Sequence, residues 1–312
     1  MTTMTVLGII NTTKEYLAGK GFENARLETE LLLSHVLGVS RVELYLDFDR
    51  QLDEEELARM RALLRRRLAG EPVQYVTGTA SFMFSEFEVN ASVLIPRPET
   101  EALTEAALEV LGRLLGDGRR QGEATGRGPR VADVGTGSGV IATTIAQRFP
   151  VASVYAIDSS ARALEVARAN AERAGVADRI VFLEGRSLEP LADGTMEGPL
   201  LAVVSNPPYI PSGDIEKLPA EVRDHEPREA LDGGEDGLDC IRAIAQDGPA
   251  CLEARGVLLI EFGDGQAEAV RALLARGFED VEIRNDYAGR ERIAVAARPR
   301  RTGTEGSWTR SS

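Results

Sequence analysis

The chain has 312 residues, of which 43% are hydrophobic, and this is enough to bury the cores of two domains of ordinary size. A net charge of −14 argues against a broad nucleic-acid-binding surface, because neutralising phosphates requires clustered lysine and arginine side chains. Two cysteines are too few for a disulfide framework. The spacing of these cysteines and of the two histidines matches no zinc motif, which argues against a structural zinc site.

The N-terminal stretch MTTMTVLGIINTTKEYL has no basic region that is followed by an apolar run and a small-residue cleavage site. No stretch of the chain approaches 18 uninterrupted apolar residues, as a membrane-spanning helix would require. We therefore expect a cytoplasmic protein with no membrane partner.

Apolar side chains recur at helical spacing over the first 70 residues, which predicts a small helical domain at residues 1–77. One helix should end at Gly38, a typical C-cap, and another should begin at Asp53 with Glu56 as its capping-box partner. The side chains expected to face the core of these helices are Leu27, Leu31, Leu32, Val36, Leu57, Met60, Leu63, Leu64 and Leu68.

The outer face of the second helix is rich in arginine. Its members are Arg59, Arg61, Arg65, Arg66 and Arg67. We favour a solvated face, and the alternative is a docking surface for an anionic partner.

Residues 78–97 change to a period of two, which predicts a hairpin that connects two domains. The alternating apolar residues are Phe82, Phe84, Phe87, Val89, Val93 and Ile95. A helix is predicted from about Pro98 to Leu115, and the polar, glycine-rich segment Gly116–Pro129 that follows should be a mobile loop.

Short apolar strands then alternate with helical patterns, which is typical of a doubly wound α/β sheet. The predicted strands are Arg130–Val134, Val154–Asp158, Ile180–Glu184, Leu200–Ser205 and Val257–Phe262, and the predicted helices are Gly139–Arg148, Ala161–Gly175, Leu238–Ala254 and Gln266–Gly277. Two late strands, Val281–Arg284 and Ile293–Ala297, have no helix between them and should pair antiparallel. We predict a Rossmann-like sheet within residues 98–298 and a disordered tail at residues 299–312.

The segment Asp133–Gly139 (DVGTGSG) lies between a predicted strand and a predicted helix. Its G-x-G-x-G spacing differs from the G-x-G-x-x-G of dinucleotide-binding proteins, whose helix N-terminus binds a pyrophosphate. A nucleoside that carries an amino acid needs a close backbone and an acid in front of the loop, and Asp133 supplies that acid. The predicted cofactor contacts of this loop are Asp133, Gly135, Thr136, Gly137, Ser138 and Gly139.

Asp158 ends the next predicted strand. An acid in this place can accept hydrogen bonds from both hydroxyls of a ribose. The alternatives are a tight turn with a solvent-facing Asp158 and a nicotinamide-dependent enzyme.

The segment Asn206-Pro207-Pro208-Tyr209 follows a central strand, and two prolines force the chain to turn out at the carboxyl edge of the sheet. The side-chain oxygen of Asn206 and the carbonyl of Pro207 can each accept one N–H of a planar NH2 group, while Tyr209 offers a flat wall. Positioning of this kind can supply roughly 7–11 kcal/mol of a barrier. The alternative is a simple Pro-Pro turn.

This pair of loops resembles those of amino-group methyltransferases that act on adenine, cytosine or glutamine. Three further segments resemble the protein-(glutamine-N(5)) methyltransferase family, PrmC/HemK: Glu71–Gly78 (EPVQYVTG), Ile95–Glu101 (IPRPETE) and His225–Gly237 (HEPREALDGGEDG). The similarity runs from about residue 10 to residue 298. It implies a class I methyltransferase fold with a late antiparallel strand, preceded by a helical domain that helps to bind the substrate.

The resemblance also implies the reaction and its partners. S-adenosylmethionine is the expected methyl donor, and the expected substrate is the glutamine of the Gly-Gly-Gln loop of peptide-chain release factors. By carry-over, the glycine loop and Asp158 hold the cofactor together with Asn206, and the glutamine is held by Asn206, Pro207, Pro208 and Tyr209. We expect a monomer that binds no duplex nucleic acid.

One segment departs from the family pattern, because many relatives have an acidic and then an aromatic residue near the adenine. Here the matching stretch is Gly185-Arg186-Ser187, so the adenine contact is assigned to Ser187, and Glu184 is expected to share part of that role. The stretch Asp224–Gly237 follows the Asn-Pro-Pro-Tyr loop with several glycines, and we expect it to fold over the substrate side of the site.

Other functions are less compatible with the sequence. An N(6)-adenine DNA methyltransferase needs a basic recognition region, but residues 1–84 contain ten basic residues against twelve acidic ones. A hydrolase is disfavoured because no Gly-x-Ser-x-Gly motif occurs. Glutamine methylation of a ribosomal protein and a cofactor-binding adaptor without catalysis remain as alternatives.

Overall fold

The computed structural model describes residues 4–116, 128–192 and 198–300. The chain forms two compact units: one comprises Met1–Thr79 and Pro219–His225, and the other comprises Ala80–Leu218 and Glu226–Ser312. Most of the predicted mobile loop (residues 117–127) and of the predicted tail (residues 301–312) lies outside the described residues. Within the described ranges, no helix combines the length and apolarity that a membrane span requires.

The first unit is helical, as predicted. Its helices are α1 (Val6–Gly19), α2 (Ala25–Leu37), α3 (Arg41–Leu46), α4 (Glu54–Leu68) and α5 (Val73–Thr77). Gly38 ends α2 in the left-handed conformation, and Asp53 and Glu56 form the predicted capping box of α4. Leu32, Leu33 and Met60 are buried in the core of this unit.

For two residues of these helices, the predicted orientation is wrong. Leu27 is 40% exposed, whereas Arg67 is 5% exposed. The guanidinium of Arg67 donates hydrogen bonds to Glu28 of α2 and to Glu221, and it lies 4.4 Å from the ring centre of Phe22. A buried charge is tolerated when it is paired, and these partners draw Arg67 into the core.

The hairpin is shorter than the range of residues 78–97 that the alternating apolar pattern predicts. It consists of β1 (Thr79–Phe82) and β2 (Ser85–Glu88), and residues 89–97 form no strand. Phe84 lies in the two-residue turn and is 100% exposed, because the turn breaks the alternation that the sequence suggests. Phe82 and Phe87 are buried and pack edge to face.

The second unit is built on a seven-stranded sheet of order β5-β4-β3-β6-β7-β9-β8. Its strands are β3 (Arg130–Val134), β4 (Ser153–Asp158), β5 (Ile180–Glu184), β6 (Leu200–Ser205), β7 (Leu252–Glu261), β8 (Phe278–Asn285) and β9 (Glu291–Pro299). The first five pair in parallel, whereas β9 is antiparallel to both β7 and β8. The predicted fold class, a Rossmann-like sheet with a late antiparallel strand, is confirmed.

The prediction that the tail begins at residue 299 was wrong. Pro299 ends β9 and lies opposite Phe278 of β8. The register of β9 with β7 stops at Ala297, so the missing N–H of Pro299 costs no hydrogen bond on that side.

Helices cover both faces of the sheet. They are α6 (Pro98–Leu115), α7 (Val140–Arg148), α8 (Ala161–Arg173), α9 (Glu189–Ala192), α11 (Asp239–Cys251) and α12 (Ala267–Leu274); the short α10 (Ala220–Arg223) belongs to the first unit. The helices α6, α7 and α8 supply the core of one face, and α11 and α12 supply that of the other. From β3 the chain winds outward to β5 and then returns to β6, so the strand order reverses between β3 and β6. Ligands bind at the carboxyl edge of such a reversal.

Candidate active site

A cavity of about 590 Å³ lies in the second unit, at the carboxyl ends of β3, β4 and β6. This volume falls within the roughly 300–1,000 Å³ of small-molecule sites. The predicted site residues that line it are Gly135, Thr136, Gly137, Ser138, Asp158, Ser187, Asn206 and Pro208. Residues from four separate sequence regions therefore meet at one place.

The loop after β3 is shaped by its glycines. Gly135, Gly137 and Gly139 all have positive φ angles, of 73°, 54° and 79°. A Cβ atom on Gly139 would lie 2.9 Å from the Cβ of Ala167 in α8, which is too close for a side chain. The loop can therefore take this shape, with its backbone along the cavity, only with glycine at these positions.

Asp133 lies beneath this loop rather than in the cavity wall. It is fully buried, and its Oδ2 accepts hydrogen bonds from the Thr136 hydroxyl at 2.7 Å and from the Ala142 N–H at 3.0 Å. Burial raises the pKa of Asp133 to about 7. These contacts make Asp133 a support for the loop, and its direct contact with a cofactor stays a prediction.

Asp158 lines the cavity and also accepts a hydrogen bond from the loop after β3. Its Oδ2 accepts the Gly137 N–H at 2.9 Å, and its Oδ1 accepts the Ser160 N–H at 3.0 Å. Burial raises the pKa of Asp158, and these two N–H groups oppose the rise. The carboxylate retains lone pairs for a ligand hydroxyl, since each oxygen accepts only one of these bonds.

Ser187 has two unusual features. Its φ angle is 52°, which is uncommon for a residue other than glycine. Its hydroxyl is buried at the cavity and has no hydrogen-bond partner among the described residues. A buried polar atom without a partner costs free energy, and a ligand atom in the cavity would remove that cost.

Asn206 lines the cavity directly after β6. A Cβ atom on Gly135 would lie 3.5 Å from the Asn206 carbonyl oxygen, so the two loops are adjacent. The hydroxyl of Ser205 donates to the carbonyl of Val134 at 2.7 Å and ties the ends of β6 and β3 together. Pro208 also lines the cavity, but Pro207 is buried and not part of its wall.

Tyr209 is half-buried, and it too is not part of the cavity wall. Its hydroxyl donates to Glu261 Oε1 at 3.3 Å, and burial together with that carboxylate raises the pKa of the phenol. The predicted roles of Pro207 as an acceptor and of Tyr209 as a flat wall therefore stay predictions.

Thr100 and Glu261 are site residues that the sequence analysis missed. Asn206 Nδ2 donates to Thr100 Oγ1 at 2.8 Å, and Thr100 Oγ1 donates to Glu261 Oε2 at 3.0 Å. Thr100 belongs to the segment IPRPETE, to which no chemical role was assigned. The detectable signal for Glu261 is an acidic residue at the end of the apolar strand β7.

Asn170 of α8 was missed as well. Its side-chain NH2 group donates to the carbonyls of Ser138 and Glu88, both at 2.9 Å, and its oxygen accepts the Glu88 N–H at 2.7 Å. Asn170 therefore fastens the cofactor loop to the end of β2. A buried amide in an otherwise apolar helix face was the signal available in the sequence.

The segment after the Asn-Pro-Pro-Tyr loop folds back against it. The Ile210 N–H donates to the Leu231 carbonyl at 3.0 Å, and the Gly233 N–H donates to the Ile210 carbonyl at 2.8 Å. A Cβ atom on Gly237 would lie 2.2 Å from the Tyr209 carbonyl oxygen, so only glycine fits there. Several residues between Pro227 and Gly234 line the cavity, and the placement of Asp224–Gly237 over the substrate side stays a prediction.

A doubly wound sheet with a late antiparallel strand, a G-x-G-x-G loop and an Asn-Pro-Pro-Tyr loop on one cavity defines a class I S-adenosylmethionine-dependent methyltransferase. Among solved structures, the fold is similar to the hMettl16 catalytic domain, determined in complex with the MAT2A 3′UTR hairpin 6. The TM-score is 0.51 at 15% identity, and the match covers 80% of this chain and 84% of the other.

Comparison with sequence families narrows the class. Residues 9–78 match the PrmC N-terminal domain, and residues 122–221 match the methyltransferase small domain. The release factor glutamine methyltransferase of Geobacter sulfurreducens is 45% identical over 290 residues, which are 93% of this chain and 95% of the relative. That of Chlorobaculum tepidum is 46% identical over 283 residues, which are 90% and 93% of the two chains. The chain therefore belongs to the release factor glutamine methyltransferase family.

Proposed function

We propose that this enzyme transfers the methyl group of S-adenosylmethionine to the side-chain amide nitrogen of the glutamine in the Gly-Gly-Gln loop of peptide-chain release factors. The observation that carries the proposal is the meeting of the glycine loop and Asn206 in one cavity. The names of the relatives, release factor glutamine methyltransferase, support the choice of substrate.

The cavity fits the cofactor at three points. The backbone at Gly135 and Gly137 is open to a ligand, the Asp158 carboxylate can accept hydrogen bonds from ribose hydroxyls, and the Ser187 hydroxyl has no protein partner among the described residues. When bound, the cofactor supplies an electrophilic methyl group on a sulfonium sulfur. We assign the adenine side of the cavity to Ser187.

Asn206 and Pro207 would prepare the substrate. An amide nitrogen is a poor nucleophile, because its lone pair is delocalised into the carbonyl. The Asn206 side-chain oxygen and the Pro207 carbonyl accept its two N–H groups and favour a more pyramidal nitrogen. These two acceptors would aim the nitrogen lone pair at the methyl group that bound S-adenosylmethionine would supply, and one N–H proton would leave for solvent.

Further parts of the proposal concern the surroundings of the reaction. The helical domain at residues 1–77 is assigned to docking of the release factor, and the methyltransferase domain is assigned to residues 98–298. The enzyme acts as a monomer in the cytoplasm and binds no duplex nucleic acid, in keeping with its net charge of −14.

The proposal is tested by mass spectrometry of release factors after incubation with the enzyme and S-adenosylmethionine. The expected result is one added methyl group on the glutamine of the Gly-Gly-Gln peptide. A release factor with alanine in place of that glutamine is the matched control. Methyl transfer to a ribosomal protein or to adenine in duplex DNA, with none to the release factor, would overturn the assignment.

A further inference from the structure

The Asn206 side chain is the first member of a short buried chain of hydrogen bonds. Its Nδ2 donates to Thr100 Oγ1 at 2.8 Å, and Thr100 Oγ1 donates to Glu261 Oε2 at 3.0 Å. Thr100 is 4% exposed and Glu261 is fully buried. Burial limits the access of water to the Thr100 hydroxyl and the Glu261 carboxylate, so the loss of a partner there costs free energy.

The chemistry of these groups fixes the direction of the chain. A threonine hydroxyl has one hydrogen, and an ionised carboxylate can only accept. The hydrogen of Thr100 therefore goes to Glu261, and Thr100 offers only lone pairs to Asn206. Asn206 can meet those lone pairs only with its NH2 group, which leaves its side-chain oxygen for the cavity.

We propose that Thr100 and Glu261 are positioning residues, which hold the Asn206 amide with its oxygen toward the substrate. This inference rests on the proposed function, in which that oxygen accepts an N–H of the substrate glutamine. The reversed amide would present an NH2 group, which cannot accept an N–H and would repel the substrate amide. The pair thus selects one of two amide orientations that are nearly identical in shape.

The orientation depends on the charge of Glu261, and several groups influence that charge. Thr100 and Glu99 face it from α6, Tyr209 faces it from the loop after β6, and Arg292 faces it from β9. The Arg292 guanidinium donates to the Phe262 carbonyl and to Asp264. Arg292 is therefore a neighbouring charge rather than a hydrogen-bond partner of Glu261.

Burial raises the pKa of Glu261 to about 7, although Thr100, Tyr209 and Arg292 oppose the rise. A proton on the oxygen that faces Thr100 would make Glu261 the donor. The Thr100 hydrogen would then point to Asn206 and favour the reversed amide. Turnover at saturating cofactor should therefore rise with pH through an apparent pKa near 7.

The first test separates positioning from simple stability. Thr100→Val removes the hydroxyl at nearly constant volume and should lower kcat by about 10²-fold, as expected for a misplaced group at the reacting centre. The KM for the release factor and the Kd for S-adenosylmethionine should stay close to those of the wild type. Thr100→Ser, which keeps the hydroxyl, should restore most of the turnover.

The matched control is Thr104→Val. Thr104 is also fully buried on α6, and its hydroxyl donates only to the Thr100 carbonyl, at 2.8 Å. It should share any loss of stability with Thr100→Val and keep the turnover of the wild type. Equal loss of turnover in both variants would show that α6 is merely structural and would overturn the proposal.

The pH profile supplies a second readout. Glu261→Gln cannot ionise, so its kcat should be lower than that of the wild type at pH 8 and should not rise between pH 6 and pH 8. Asp133 titrates in the same range but supports the cofactor loop, so its protonation should appear in the Kd for S-adenosylmethionine. A rise in kcat that persists in Glu261→Gln would contradict the role of Glu261.

The third readout requires no substrate. In protein labelled with ¹⁵N at asparagine, the side-chain NH2 signals of Asn206 can be assigned from their loss in Asn206→Ala. These signals should be protected from hydrogen exchange in the wild type and should shift and lose protection in Thr100→Val. If they are unchanged in Thr100→Val, the proposal is overturned. If they change while the wild type methylates no release factor, the proposed function fails and the positioning pair stands.

Discussion

The loops after β3 and β6 meet in one cavity, but they are held in different ways. The first loop is held by its own glycines and by Asp133, Asp158 and Asn170, whose bonds to the loop and to the following helix span at most 32 positions. The second loop is held by side chains from distant parts of the chain, since Thr100 lies 106 positions from Asn206. Glu261 lies 52 positions from Tyr209.

This difference shows when a short sequence motif is sufficient to determine the conformation of a loop. The cofactor loop contains most of what shapes it, because a glycine fixes a backbone conformation wherever it is placed. The motif Asn-Pro-Pro-Tyr is incomplete by itself, because the orientation of Asn206 depends on α6 and β7. Four variants would sharpen or break this contrast.

Asn206→Ala should have the largest effect. By analogy with the loss of one donor from an oxyanion hole, we expect the rate of methyl transfer to fall by about 10²–10³-fold. Cofactor affinity should change little, since the interaction is made mainly in the transition state. Single-turnover methyl transfer to a release factor, with calorimetry alongside, measures both quantities. Near-normal turnover would mean that the loop is structural.

Asp158→Ala should disturb the loop after β3, and its main effect should be on cofactor affinity rather than on turnover. Losing charge-assisted hydrogen bonds to the cofactor, and the support of Gly137, should raise the Kd for S-adenosylmethionine by about tenfold or more. Turnover at saturating cofactor should suffer less than in Asn206→Ala. An unchanged Kd in calorimetry would remove Asp158 from the cofactor site.

Tyr209→Phe should have a smaller effect on catalysis. The variant keeps the ring and loses only the hydroxyl bond to Glu261, which at 3.3 Å is the longest of the network. A net contribution typical of one hydrogen bond corresponds to about a three- to tenfold loss of kcat. A loss as large as that of Asn206→Ala would show that the phenol itself takes part in the reaction.

Glu261→Gln should have the smallest effect of the four variants, and this prediction concerns how the free energy of unfolding changes with pH. The folded protein keeps the Glu261 proton up to about pH 7, whereas the unfolded chain releases it near the ordinary value of 4.5. Raising the pH through this window therefore lowers the free energy of unfolding of the wild type. Urea unfolding should show Glu261→Gln gaining stability relative to the wild type between pH 5 and pH 8. An identical difference at both pH values would contradict the assigned pKa.

The sheet could be predicted from the sequence to within a few residues. Buried parallel strands are continuous apolar runs, and Pro98 and the glycines mark where α6 and the cofactor loop begin. The side-chain pairs that join distant parts of the chain could not be predicted in this way. Periodicity assigned Arg67 to the solvent, because it carries no information on Glu28 or Glu221. The pairing of Thr100 with Glu261 spans 161 positions and has no local signature.

The path of the chain through its two units has a consequence for engineering. The first unit includes Pro219–His225 as well as the residues up to Thr79, and Arg67 pairs with Glu221 inside it. Deleting residues 1–79 would therefore not isolate the second unit, because the seven residues Pro219–His225 would remain without the helices against which they pack. A chimera that exchanges the helical unit between relatives must replace both of its segments, which requires three junctions, and two of these junctions flank Pro219–His225.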